Sequence, residues 1–336
     1  MDRIAPDPFF RGLLPAASWP DGSRLPATAN SKLPADTVRA GRIAAGVHLA
    51  FTGTASALEL EVGVAGPTTV PAPTAPAAFV ASTAGVPSVR TPVPSASGTL
   101  RVVLPERDAG QVVRVYLPEP VEVRIESVTA VGGEIAPVSR GPLVVAYGDS
   151  ITQGWSVSEP GLAWPALVGE ELGAEVVNLG FAGSARGELP AADAVADSGA
   201  AAVVVAWGTN AWSSLPTDAG QIAERMRIFL TAIRQGLPEV PVVVVSPIVR
   251  PDAEDTPNRF GATLVALRDA IEAAVRRFVG TTGDRRITLV PGLDLVPAGQ
   301  LVDGIHPGDA GHATFAAGVA PLLAAGLGLT VPAAGR

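Results

Sequence analysis

The sequence predicts two folded units in series: an antiparallel β-sandwich over residues 1–138, then a doubly wound parallel α/β sheet over residues 139–336. Three observations carry this expectation. The chain has 336 residues, more than the roughly 100 to 200 that usually share one core. From His48 to Val131 the apolar residues mostly recur at every second position, whereas after Gly141 continuous apolar runs alternate with longer amphipathic stretches. Hydrophobic residues make up 47% and charged residues 17%, which supplies two cores and excludes a disordered chain.

In residues 57–64, Leu58, Leu60, Val62 and Val64 share one face and Glu59 and Glu61 take the other, the pattern of a half-buried strand. Residues 99–104 and 112–117 also read as strands, and residues 121–125 alternate Val121, Val123 and Ile125 with Glu122 and Arg124. Such one-sided alternation belongs to antiparallel sheets. Residues 66–98 are rich in Pro, Ala, Thr and Ser, the composition of a flexible linker. The spacing of Phe79, Val80, Val86 and Val89 instead predicts short strands separated by turns, with proline tolerated at sheet edges. No helix is predicted in this half.

The second half carries apolar runs at residues 143–147, 175–179, 202–207, 242–246 and 287–290, read as buried parallel strands with crossover helices between them. The clearest helix spans residues 257–278, where Phe260, Leu264, Leu267, Ile271, Val275 and Phe278 step by three or four, Thr256 caps and Pro257 suits the first turn. Another starts after Asp218, which with Gln221 resembles a capping box. In a doubly wound sheet, ligands sit beyond the carboxyl ends of the strands, so the loops there are the place for chemistry.

Composition removes several functions. The net charge is −8, Lys32 is the only lysine, and no run of Lys or Arg could track a phosphate backbone, which argues against nucleic acid as a partner. Arginine in place of lysine, with abundant Ala, Gly, Pro and Val, suits a GC-rich bacterial genome. Without cysteine there is no disulfide, thiolate metal site or thiol nucleophile. No His-x-x-x-His spacing and no phosphate-cradling loop followed by Lys occurs, so neither metal nor cofactor is expected. Asp2, Asp7 and prolines interrupt the N-terminus where a signal peptide needs an apolar region, and no apolar stretch is read as membrane-spanning. No membrane partner is expected, and a cytoplasmic location follows unless a leader has been removed.

At the end of the first apolar run, Gly148-Asp149-Ser150-Ile151-Thr152 places a serine on a strand-to-helix turn. Either this serine caps the helix, or it is a nucleophile whose neighbouring backbone N–H groups stabilise an oxyanion. Asp303-Gly304-Ile305-His306-Pro307 puts a carboxylate three residues before an imidazole, so that one loop can hold an oriented general base. The other histidines, His48 in the strand region and His312 in a helix, read as structural. The next two strand runs end in Asn178-Leu179-Gly180-Phe181-Ala182-Gly183 and Trp207-Gly208-Thr209-Asn210.

These four blocks, in this order over about residues 141–327, resemble those of the SGNH superfamily, also called GDSL esterases and lipases. The resemblance implies a flavodoxin-like sheet and a catalytic triad of Ser150, His306 and Asp303. It also implies an oxyanion hole formed by the backbone N–H groups of Ser150 and Gly183 and the side-chain amide of Asn210. One departure concerns Asn210: the family commonly places Asp directly after it, where this chain has Ala211, so a different support for the amide is expected. A front β-domain is similar to the jelly-roll-like module of two-domain carbohydrate esterases. Trp155, Trp212 and Arg186 lie within a few residues of Ser150, Asn210 and Gly183, and are expected to line the substrate pocket. Arg250, at the end of the fourth strand, falls on the same side of the sheet.

The expected function is hydrolysis of a short-chain ester, acetyl above all, of a small molecule or carbohydrate through an acyl-enzyme on Ser150. The alternatives are acyl transfer to an alcohol from the same acyl-enzyme, and glycan binding by a protein whose hydrolase site is vestigial. Oligomeric state and natural substrate are left open.

Overall fold

The structure, a computed structural model, describes residues 3–19, 23–68 and 77–329. After the short strand β1 (Phe10–Arg11) come two small helices, α1 (Ala27–Asn30) and α2 (Ala35–Gly41). Eight strands follow: β2 (His48–Gly53), β3 (Ala57–Pro67), β4 (Ala78–Thr83), β5 (Val86–Pro92), β6 (Gly98–Val103), β7 (Val113–Tyr116), β8 (Val121–Val131) and β9 (Ile135–Pro137). They form two antiparallel sheets, ordered β1-β2-β7-β4-β5 with β9 added to β2, and β6-β3-β8. Leu58, Leu60 and Val62 from one sheet meet Leu49, Phe51, Phe79 and Val115 from the other in a single buried cluster. The alternation read in residues 57–64 is the face that closes this core. The Pro-rich stretch supplies β4 and β5, joined by a turn at Gly85 (φ +74°). Residues 69–76 of that stretch lie outside the described residues.

The second half builds one parallel sheet. Its strands are β10 (Leu143–Gly148), β11 (Glu175–Gly180), β12 (Ala202–Ala206), β13 (Val242–Val245) and β14 (Ile287–Val290), in the order β11-β10-β12-β13-β14. The order reverses at β10, which puts a topological switch point at the carboxyl end of that strand. Helices α3 (Ser150–Gln153), α4 (Trp164–Leu172), α5 (Leu189–Ala196), α6 (Ala219–Gly236), α7 (Leu264–Thr282) and α8 (Asp309–Leu327) complete the unit. One face of the sheet is covered by α4 and α8 through Trp164, Val168, Phe315 and Val319; the other is covered by α5, α6 and α7.

Three expectations are corrected. Residues 27–30 and 35–41 are helical, although no helix was predicted in residues 1–138. At four and seven residues, α1 and α2 are too short to display a period, and they hold by docking: Leu14, Leu25, Ala29, Leu33 and Ala40 belong to the core cluster of the parallel sheet, not to the sandwich. The helix predicted over 257–278 begins only at Leu264, capped by Thr263, whose hydroxyl accepts the Ala266 N–H at 3.1 Å. Asn258 prevents the earlier start, because its Oδ1 accepts from the Phe260 and Ala262 N–H groups and closes a turn there. Finally, one stretch does reach membrane-spanning length: α8 is long and apolar enough. Its buried face, including Phe315, Val319, Ala320 and Leu323, is the packing surface against the sheet, the pattern of a core helix.

His312 on α8 is fully buried and its Nδ1 accepts the Trp164 N–H at 3.2 Å, so it is a structural residue as read. Burial lowers its pKa from 6.5 to about 4, against the opposing pull of the Trp155 carbonyl and Asp309. Between these pH values the unfolded chain binds the proton and the folded chain does not, so stability is present above pH 6.5 and is lost as pH falls toward 4. The loss from this one residue amounts to about 3 kcal/mol at most. Melting temperatures from pH 7.5 to 4 should therefore fall less steeply for His312→Asn, which keeps an oxygen acceptor but cannot titrate, than for the wild type. Equal slopes would rule this out.

Candidate active site

The carboxyl ends of β10, β11 and β12 converge on one cleft. At the first of them the chain turns sharply from Gly148 into α3, and a Cβ on Gly148 would stand 2.0 Å from the Thr152 hydroxyl and 2.3 Å from the Ala206 carbonyl oxygen, so only glycine fits. Asp149 caps the helix, its Oδ1 accepting the Ile151 N–H at 3.1 Å. Burial raises the Asp149 pKa, while the N–H groups of Ile151, Thr209 and Gly208 and the charge of His306 oppose the rise. That carboxyl thus ties the β10 turn to the β12 turn, and it leaves Ser150 as the first helical residue with its hydroxyl toward the cleft.

Ser150 Oγ lies 2.8 Å from His306 Nε2, and His306 Nδ1 lies 2.7 Å from Asp303 Oδ2. The other carboxylate oxygen of Asp303 accepts the His306 and Ile305 N–H groups at 2.8 and 3.0 Å. Burial pushes the Asp303 pKa up, but these hydrogen bonds, the one from the His306 ring first, outweigh it and hold the carboxyl below its usual range. The loop itself is pinned: the Val302 N–H donates to the His306 carbonyl at 2.8 Å, and Gly304 takes φ +81°. A carboxylate that stays ionised beside Nδ1 favours the tautomer with Nε2 free to accept the serine proton.

Two further blocks supply donors. Gly183, at φ +68°, turns the chain after β11, and a Cβ there would meet nothing within 4 Å. Neither the Ser150 nor the Gly183 backbone N–H is taken by another hydrogen bond among the described residues. The loop before Gly183 is steadied by Gln153, whose Oε1 accepts the Ala182 N–H at 3.0 Å. Asn210 is buried in the turn after β12, with Nδ2 directed to the Ala185 carbonyl at 3.4 Å, so that carbonyl orients the amide here. Ala211 itself is tied through its carbonyl to Asn258 Nδ2 at 3.1 Å, and the same nitrogen donates to the Thr217 carbonyl at 2.9 Å.

The cleft measures about 540 Å³ and is lined by Ser150, Gly183, Asn210 and His306 together with Trp155, Asp36 and Arg250. Trp155 stands beside the histidine, the two rings 5.6 Å apart and tilted by 34°. The other two residues expected in the pocket are not in its wall. Trp212 lies behind Arg250, which stacks on its face at 4.6 Å, and its Nε1 donates to the Thr256 carbonyl at 2.7 Å. Arg186 pairs with Asp36 and donates to the Ser184 carbonyl at 2.9 Å. Asp36, from α2, had no sequence signal, because its approach to Ser150 depends on the docking of a short helix from the far end of the chain. Asn258 was missed for a similar reason, being read as part of a helix. Among the described residues no group of three or more His, Asp or Glu converges as metal ligands.

Residues 142–324 match the GDSL-like lipase/acylhydrolase family. The chain belongs to this family. It is a carboxylic ester hydrolase of that family. No curated protein matches it. Among solved structures, a GDSL-like lipase described from Bacteroides ovatus covers 99% of this chain and 99% of its own, at 19% identity and a TM-score of 0.80. A salicylyl-acyltransferase from a tetracycline biosynthetic pathway covers 98% and 99%, at 23% identity and a TM-score of 0.78. A family two carbohydrate esterase from Clostridium thermocellum covers 84% and 92%, at 17% identity and a TM-score of 0.59. At these identities the likeness is one of fold, and for the first two it extends through the sandwich as well as the GDSL domain.

Proposed function

We propose that the protein is a serine esterase that cleaves short-chain esters, acetyl above all, of a small molecule or carbohydrate. The observation that carries this is the Ser150–His306–Asp303 relay at 2.8 and 2.7 Å, facing two unused backbone N–H groups and the Asn210 amide. In the proposed reaction Ser150 Oγ attacks the ester carbonyl carbon while its proton passes to His306 Nε2. The oxyanion settles among the N–H groups of Ser150 and Gly183 and Nδ2 of Asn210, and collapse expels the alcohol, which takes the proton from His306. Water then attacks the acyl-enzyme, giving its proton to His306; the second collapse frees the acid and returns the proton to Ser150.

The preference for short chains rests on the walls of the cleft. Trp155 and the Trp212-backed guanidinium of Arg250 are large, fixed groups beside the donors. Each methylene that enters a fitting pocket is worth about 0.8 kcal/mol, so a lipase gains steeply with chain length and a closed pocket loses. For p-nitrophenyl esters from acetate to palmitate, kcat/KM is expected to peak at acetate or propionate. A maximum at octanoate or beyond would overturn the short-chain reading.

A second reading, acyl transfer to an alcohol, is favoured by the full-length likeness to the salicylyl-acyltransferase. The acyl-enzyme is common to both, and product analysis with an added alcohol separates them: a transferase forms the new ester in preference to free acid. The relay and its three donors speak against a vestigial site, and a protein that binds a glycan array but never labels with a fluorophosphonate would reverse that judgement.

A further inference from the structure

The esterase reading leaves one buried cation in the cleft without a task. Arg250 is only 6% exposed yet lines the cavity that holds Ser150. Its Nε and Nη2 donate to the two carboxylate oxygens of Asp252 at 2.9 and 3.1 Å, and its plane lies over the Trp212 ring. Its backbone is anchored as well: the Arg250 N–H donates to Glu254 Oε1 at 2.9 Å, and Glu254 is gripped by both terminal nitrogens of the buried Arg268 at 2.7 and 2.8 Å. Nη1 has no hydrogen bond among the described residues. One preorganised donor therefore remains on a guanidinium whose charge Asp252 already balances.

Stereochemistry decides which part of the ester it meets. The tetrahedral carbon on Ser150 bears Oγ, the oxyanion, the leaving oxygen and the acyl substituent. The oxyanion belongs to the donors of Ser150, Gly183 and Asn210. The leaving oxygen must come within reach of His306 Nε2, at the head of α8, which covers one face of the sheet. The acyl substituent is left with the opposite side, where α2 presents Asp36 and Arg250 rests on Trp212; α2, through Val38 and Ala40, and Trp212 pack with the cluster of the other face.

We propose that Arg250 is a specificity-determining residue that donates from Nη1 to an uncharged oxygen on the acyl group, so that the substrate is a short hydroxyacyl or oxoacyl ester. This rests on the serine-esterase reading with its short acyl chain, and puts a hydroxyacyl or oxoacyl group of similar size in the place of acetyl. A carboxylate in the same place would find the Arg250 charge already balanced by Asp252 and Asp36 already paired with Arg186, so no net positive charge offsets its desolvation. A bare alkyl group would leave the buried donor unpaired.

The test uses ethyl esters matched in size: glycolate against propionate, and monoethyl succinate against pentanoate. Each kcat/KM is divided by the rate constant for alkaline hydrolysis of the same ester, which removes intrinsic reactivity. Glycolate is expected to exceed propionate by about tenfold or more, and monoethyl succinate to fall below pentanoate. In Arg250→Met, which keeps the stack on Trp212 but has no donor, the glycolate to propionate ratio should drop toward one. If that variant does not fold, the wild-type ratios decide alone. Hydrolysis of both esters with propionate equal or preferred would overturn the proposal and leave the esterase reading standing, and so would a preference for the succinate. No hydrolysis of any ester, with Ser150 failing to label with a fluorophosphonate, would remove both.

Discussion

Ser150→Ala is expected to abolish ester hydrolysis, with a loss on the order of 10⁵-fold, and to leave the fold intact. The hydroxyl is the proposed nucleophile, while the turn that carries it is held by the Asp149 cap and the close fit of Gly148, neither of which needs the Ser150 side chain. His306→Ala should be as severe. Because the two act as one unit, the double variant is expected to be little worse than either single one, and losses that multiplied would argue against a shared mechanism. Asp303→Asn should lose much but not all of the activity. Its carbonyl oxygen can still accept the backbone N–H groups of Ile305 and His306, but its amide then faces Nδ1 and selects the wrong tautomer. Steady-state kinetics on p-nitrophenyl acetate, with circular dichroism to confirm folding, checks all of these, and a folded Ser150→Ala variant of full activity would exclude the proposed nucleophile.

A fragment starting near Ser139 is expected to be insoluble, or soluble and inactive. Removing residues 1–138 strips Leu14, Leu25, Ala29, Leu33 and Ala40 from the core of the parallel sheet. Each buried leucine among them contributes roughly 1.5 to 3 kcal/mol, so the loss approaches the whole stability of a domain. Arg24 goes with them. This fully buried arginine donates to the carbonyls of Asn178 and Gly180, a few residues before the Gly183 turn, with the Gly180 contact at 2.9 Å. Thr37 also goes, leaving Glu188 without the hydroxyl that donates to it at 2.7 Å. Expression of the fragment followed by fluorophosphonate labelling decides the matter, and a soluble fragment of full activity would show that the two halves are independent.

The candidate relay was legible because it sits where local sequence dictates local geometry. Gly148, Asp149 and Ser150 follow an apolar run directly, and a capping aspartate with a glycine that admits no Cβ holds the turn that carries the serine. Asp303 and His306 are three residues apart, so one tight loop brings carboxylate and imidazole together without help from the rest of the chain. The sandwich strands were legible by their period of two and the parallel strands by their unbroken apolar runs. The substrate side of the cleft was not. Trp212 and Arg186 are close in sequence to Asn210 and Gly183, yet each is drawn away by its own partner, Trp212 by Arg250 and the Thr256 carbonyl, Arg186 by Asp36. Asp36 enters the cleft from more than a hundred residues away, on a seven-residue helix whose position is set by what it buries. Sequence alone pointed to Ser150 and His306 as the candidate nucleophile and base, and to the order of the four blocks, because those depend on neighbours along the chain. Tertiary structure decided which side chains line the cleft, because that depends on which long-range contacts hold each of them in place.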